Sequence, residues 1–229
     1  MKYNTIFFDL DETIWDYKSN AEDTLVELFQ LHHLDRYFML PEFIEQFFIV
    51  NKELWDLFDL KKIEKSVIRD KRFPMVLERL RLDDLSLALT MQDQFIDLCP
   101  RKKKIFPMAV EVIQQLSKHY QLHIITNGFE EIQQLKLKSA GVDGYFDQLI
   151  TSELAGAQKP DTRIFNFALQ KVHAEPSESL MIGDNLVADV MGAKNAGMEA
   201  IFFNPNQTKH NEEIDYEIQH LSEIIPILL

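Results

Sequence analysis

The stretch Phe7-Phe8-Asp9-Leu10-Asp11-Glu12-Thr13 constrains this chain more than any other. Asn4-Thr5-Ile6-Phe7 lead into an apolar strand that ends on two carboxylates two positions apart. A short β-branched and aromatic run reads as a strand buried in a parallel sheet. An ionised Asp is almost never buried unless it is paired or bound to a metal. Asp9 and Asp11 therefore belong at the carboxyl end of that strand, where open α/β sheets bind their ligands. Two such carboxylates can hold a divalent ion through oxygen, and one of them can also attack an electrophile.

The rest of the chain has to build the sheet behind that strand. Its 229 residues suffice for one large domain or a domain with a sizeable insertion, and 46% hydrophobic residues supply a core. A formal net charge of −13 opposes binding to nucleic acid polymers or an anionic membrane. It does not oppose a small anionic substrate, because a bound cation and a few donors reverse the field inside one cleft. Cys99 is the single cysteine, which excludes an intrachain disulfide or a thiolate metal cluster. No apolar stretch approaches the roughly 20 residues of a membrane span. The N-terminus runs straight into the first strand, leaving no room for a signal peptide, so a cytoplasmic location is expected.

All seven glycines lie at or after Gly128, so the first half has no phosphate-binding glycine loop. From Asn20 to about Leu98 the apolar residues recur three and four apart, predicting helices over 21–34, 41–60 and 64–82. Pro41 suits a first helical turn, and Pro74 is expected to kink or break the third segment. Phe43, Phe47, Phe48, Trp55 and Phe58 are expected to form this region's own core. After Pro107 helix and strand alternate. Helices are predicted over 108–119, 130–140 (stopped by Gly141), 162–172 and 186–196; strands over 122–126, 149–151, 180–182 and 200–203. The expected fold is α/β: a Rossmann-like parallel sheet with helices on both faces, residues 1–15 and 105–229, carrying an inserted all-helical cap, residues 16–104.

Four strand ends then bear polar groups: Asp9/Asp11, Thr126-Asn127, Lys159-Pro160, and Asp184 with Asp189. In a parallel sheet these ends share one edge and can meet in one crevice. The carboxylates suit Mg²⁺, and the Thr126 hydroxyl, nearby backbone N–H groups and Lys159 suit a phosphate. Each has an ordinary account when taken singly. DxD can be a turn or cap, Lys159 a solvated lysine, Thr126-Asn127-Gly128 a turn, and Asp184 a helix cap. A common site explains all four together. Arg101–Lys104 reads as a solvated hinge, and the seven histidines show no ligand spacing. Trp15 could stack on a substrate base but is better suited to packing.

In this order the motifs DLDET (9–13), TNG (126–128), KP (159–160) and GDNLVAD (183–189) resemble those of the haloacid dehalogenase superfamily of phosphohydrolases. The resemblance implies that Asp9 is the nucleophile, forming an aspartyl phosphate, and that Asp11 is the acid/base. It implies that Thr126, Asn127 and Lys159 bind the phosphoryl group. Mg²⁺ would be held by Asp9, Asp184 and the backbone carbonyl of Asp11, with Asp189 as a supporting acid. Dehalogenases of the superfamily lack an acid at the position of Asp11, so phosphomonoester chemistry is implied instead. The longer runs DLDETIWDY and TNGFEEIQQLKLKSAG resemble the YjjG-type nucleotidase subgroup, as does Glu12 where many sugar-phosphate members have Gly. The expected function is Mg²⁺-dependent hydrolysis of small phosphorylated metabolites, foremost nucleoside 5′-monophosphates. A sugar-phosphate phosphatase or phosphomutase is the alternative, with a non-catalytic phosphate-binding protein behind it.

Overall fold

The computed structural model describes residues 2–229. It separates into two compact units, one formed by the chain up to Tyr17 with Lys102–Leu229, the other by Lys18–Arg101. These limits lie two or three residues from the division expected from sequence. The first unit retains the extra residues because Asp16 N–H donates to Lys104 O at 3.2 Å and Trp15 Nε1 to Lys102 O at 3.3 Å.

In chain order the elements are β1 (Thr5–Phe8), α1 (Tyr17–Leu31), α2 (Leu40–Asp59), α3 (Lys65–Arg79), α4 (Leu85–Leu98), α5 (Ala109–Leu116), β2 (Gln121–Thr126), α6 (Glu130–Ala140), β3 (Gln148–Thr151), α7 (Ser152–Ala155), α8 (Thr162–Val172) and β4 (Ser179–Gly183). A π-type turn over Leu186–Met191 continues into α9 (Gly192–Asn195), and β5 (Glu199–Phe203), β6 (Tyr216–Ile218) and α10 (Ile224–Leu228) complete the chain.

The strands form one six-stranded sheet in the order β3-β2-β1-β4-β5-β6, all parallel. The chain builds outward from β1 on one side, then crosses to β4 on the other. The strand order thus reverses beside β1, which is where such sheets open a crevice at their carboxyl edge. Both faces are covered. Phe7, Ile125, Met181 and Phe202 point to one face, against Ile164, Phe165, Ala168 and Leu169 of α8. Their neighbours Ile6, Phe8, Ile124, Ile182 and Ile201 are buried as well, so these strands carry no polar face. Burying each such side chain is worth roughly 1.5–3 kcal/mol.

The second unit has an aromatic core. Phe47 lies 4.9 Å from Phe95 and 5.5 Å from Phe73 between ring centroids, and Phe43 stacks on Phe38 at 5.8 Å. Phe43, Phe47 and Phe58 are buried as expected, while Phe48 and Trp55 are only partly so. The buried Arg72 guanidinium lies over the Phe95 ring at 4.6 Å and donates to Asn51 Oδ1 at 3.1 Å.

Pro74 does not break its helix: α3 runs through it unbroken. A helix-interior proline costs about 3 kcal/mol. The cost is offset here because Phe73, Val76 and Leu77 around it are buried. No helix among the described residues is long and apolar enough to cross a membrane.

Candidate active site

β1 delivers Asp9 into the crevice. The Asp9 N–H donates to Ile182 O of β4 at 2.8 Å, extending the ladder by one residue beyond the strand. The chain then turns tightly: the Ile14 and Trp15 N–H groups both reach Leu10 O, and Glu12 N–H reaches Trp15 O. Glu12 has φ 62°, a left-handed conformation that costs a side-chain-bearing residue roughly 1–2 kcal/mol. The turn places Asp9, Asp11 and Thr13 on one loop above the sheet edge.

Lys159 is 2% exposed, so it is not a solvated lysine. Its Nζ donates to Asp9 Oδ1 at 2.6 Å, Asp189 Oδ1 at 2.5 Å and Ile125 O at 2.9 Å, using all three ammonium protons. Asn127 braces it from both sides. Lys159 N–H donates to Asn127 Oδ1 at 2.8 Å, and Asn127 Nδ2 donates to Lys159 O at 3.1 Å. Thr126 Oγ1 accepts from Gly128 N–H at 3.0 Å, which is the turn that TNG spells out.

Asp184 does not cap the following helical segment. Asn185 does, with Oδ1 accepting from Val187 N–H and Ala188 N–H. Asp184 is thereby left to the site. The Thr13 hydroxyl donates to Asp184 Oδ1 at 3.1 Å and accepts from Asp184 N–H at 3.1 Å. Asp189 is 1% exposed, and its Oδ2 accepts from Asn185 N–H at 3.0 Å. The close approach requires a glycine behind it. A Cβ on Gly183 would stand 2.3 Å from Asp189 Oδ2.

Asp9, Asp184 and Asp189 thus converge, one carboxylate oxygen from each lying within 4.8 Å of the others. Burial pushes the Asp9 carboxyl up to about 7; Lys159 pulls it down and the negative charges of Asp189 and Asp11 push it up again. Burial, then Asp9 and Asp189, hold Asp184 well above the ordinary carboxylate value. Burial would lower Lys159, but Asp189 and Asp9 outweigh it and keep the ammonium charged. Three crowded carboxylates against this one ammonium leave negative charge uncompensated. The donor set is all oxygen, so these residues fit a hard divalent cation.

The Asp11 carboxylate points elsewhere. Lys136 Nζ lies 2.6 and 2.8 Å from its two oxygens, and Gln133 Nε2 donates to Oδ2 at 3.1 Å. Trp15 is fully buried, with Lys136 Nζ 4.5 Å from its ring centroid. It packs inside the unit and is closed to a substrate base. All the expected site residues therefore lie at one sheet edge, with Thr13, Gln133, Lys136 and Asn185 added to them. Thr13 belongs to the DLDET run. Gln133 and Lys136 had a fainter signal, polar side chains on the face of α6 that also buries Leu137.

Known proteins resemble this chain in sequence and in fold. The pyrimidine 5′-nucleotidase YjjG of Escherichia coli is 29% identical over 100% of this chain and 99% of its own. A glyceraldehyde 3-phosphate phosphatase of Methanothermobacter thermautotrophicus is 31% identical over 89% of this chain and 87% of its own. The magnesium-bound crystal structure of the HAD-hydrolase YfnB of Bacillus subtilis superposes with a TM-score of 0.89 at 26% identity, covering 100% of this chain and 99% of that one. Residues 3–197, most of the chain and all of the site, match the haloacid dehalogenase-like hydrolase family. With its motifs at the ends of the strands of such a sheet, the chain is a member of the haloacid dehalogenase-like hydrolases.

Proposed function

We propose that this chain is a Mg²⁺-dependent phosphomonoesterase acting on nucleoside 5′-monophosphates through an aspartyl phosphate on Asp9. The observation that carries the reading is the buried contact of Lys159 with both Asp9 and Asp189, beside Asp184. It joins a nucleophilic carboxylate to the positive charge that a phosphoryl group needs.

Asp9 attacks phosphorus with one carboxylate oxygen, forming the P–O bond as the bond to the leaving alkoxide breaks. Lys159 neutralises charge between Asp9 and the phosphoryl oxygens, and Asn127 holds the lysine backbone in place. Thr126 and the N–H groups of the following turn receive the phosphoryl oxygens. Asp11 gives a proton to the departing alkoxide. It later takes one from the water that hydrolyses the aspartyl phosphate, releasing inorganic phosphate and restoring Asp9. Asp9, Asp184 and the Asp11 carbonyl would hold Mg²⁺, which supplies charge neutralisation for the approach of two anions. Asp189 supports Lys159 and lies close enough to join that ligand set. The magnesium in the YfnB structure supports this cofactor.

The nucleotide reading rests on the resemblance to YjjG across the whole chain. Sugar phosphates are the second reading, supported by the glyceraldehyde 3-phosphate phosphatase relative.

Phosphate release from a pyrimidine monophosphate, with Mg²⁺ and with Asp9→Asn protein as the blank, tests the proposal. Release by the wild type alone is expected. Release by Asp9→Asn would overturn the nucleophile, and release from sugar phosphates but not nucleotides would overturn the substrate class.

A further inference from the structure

Lys136 has no place in the phosphoryl-transfer scheme above, yet it is among the most constrained cations in the molecule. It sits on α6, ten positions after Thr126, and is only 5% exposed. A buried ammonium is costly unless it is paired. Its Nζ meets both oxygens of Asp11 at 2.6 and 2.8 Å. The same Nζ stands 4.5 Å from the Trp15 ring centroid and 5.6 Å from that of Tyr17. These rings follow directly on the Asp9–Thr13 loop. An ammonium over aromatic faces is attracted by the ring quadrupoles and is held in one place.

A second donor comes from the same helix face. Gln133 is 1% exposed, and its Nε2 donates to Asp11 Oδ2 at 3.1 Å. Gly128 makes room for it, since a Cβ there would lie 1.8 Å from Gln133 Nε2. The TNG glycine and the two α6 side chains therefore build one cradle, and the carboxylate in it is that of Asp11. No such cradle is needed to close the turn, which is already made by the backbone bonds to Leu10 O and Trp15 O.

We infer that Lys136, assisted by Gln133, is a positioning residue for Asp11: it fixes where the acid/base carboxylate stands relative to the leaving oxygen. The inference rests on the reading of Asp11 as acid/base. It gives a function to the tilted Trp15 and Tyr17 rings, which both lie beside the Lys136 ammonium. It also accounts for a lysine on a helix face that otherwise packs inward.

Positioning can be separated from mere stability by the leaving group. An alkoxide leaves only with a proton from Asp11, whereas p-nitrophenolate leaves without one. The full-length chain carrying Lys136→Met, Lys136→Arg, Gln133→Leu or Asp11→Asn is compared with the wild type on a nucleoside 5′-monophosphate and on p-nitrophenyl phosphate. The readout is kcat/KM, which reports all steps through formation of the aspartyl phosphate.

General acid catalysis contributes about 10²–10⁴-fold, so Lys136→Met is expected to lose roughly tenfold or more on the alkyl ester and much less on the aryl ester. Lys136→Arg recovers part of the loss. Lys136→Met added to Asp11→Asn costs nothing further on the alkyl ester, because the residue it positions is already gone. Gln133→Leu shows the same selectivity more weakly and keeps the test open if Lys136→Met does not fold.

Equal losses on both esters, or a full additional loss in the double variant, would overturn the inference while leaving Asp11 in its role. An Asp11→Asn protein with no preference between the esters would instead remove the acid/base reading, and the inference with it.

Discussion

Lys159 Nζ lies 2.6 Å from Asp9 Oδ1, joining residues 150 positions apart in the chain. Both side chains are buried, and Asp189 closes the group from the other side. The contact is the point where charged groups from the two halves of the sheet, on either side of β1, meet.

Lys159→Met should therefore cost far more than a surface lysine. Removing one partner of a buried ion pair costs about 3–5 kcal/mol, because the remaining charges stay buried without compensation. Urea unfolding at pH 8 in EDTA measures this directly. Added Mg²⁺ should recover part of the loss in stability but not the turnover. A loss under about 1 kcal/mol, the range of surface pairs, would contradict the arrangement.

Magnesium and pH should act on the same carboxylates. Asp9 is raised to about 7 in the folded chain from an ordinary value of 3.8. The folded state then binds more protons than the unfolded state between these values. Its contribution to stability is fully present below 3.8 and is lost as pH rises through about 7. A divalent cation replaces the proton, so Mg²⁺ should raise the thermal midpoint more at pH 8 than at pH 6. EDTA should reverse the rise. The difference between the two pH values should shrink sharply in Asp9→Asn, and an unchanged difference would assign it to another group.

Gly183→Ala should disable the site through steric contact alone. Its Cβ would lie 2.3 Å from Asp189 Oδ2 and 2.6 Å from Asp189 Cβ, forcing the acid away from Lys159. A loss of roughly 1–3 kcal/mol is expected from overpacking, with turnover falling further than stability. Gly144→Ala is the control, as no atom lies within 4 Å of the added methyl. Denaturation midpoints and phosphate release on both variants decide the matter.

The buried sheet was legible in the chain because strands covered on both faces leave continuous apolar runs. α6 and α8 match the ranges expected from sequence to the residue: Gly141 stops the first, and in the structure Asp161 caps the start of the second. β6 and α10 were not: three residues, Tyr216–Ile218, and five, Ile224–Leu228, are too short to establish a period. Pro74 misled for a different reason. Local propensity disfavours a helix through it, and the burial of Phe73, Val76 and Leu77 overrides that propensity.

By itself the sequence determined which strand ends carry polar groups, since Asp9, Thr126, Lys159 and Asp184 each follow an apolar run or a turn that must stop at the sheet edge. Only the tertiary structure decided who holds whom. Asn185 rather than Asp184 caps the turn after β4, Lys159 takes both Asp9 and Asp189, and Lys136 reaches Asp11 from 125 positions away. Periodicity is a property of neighbours along the chain. The pairing of buried charges depends instead on which side chains meet when distant strands and helices pack, and on the cost of leaving any of them alone.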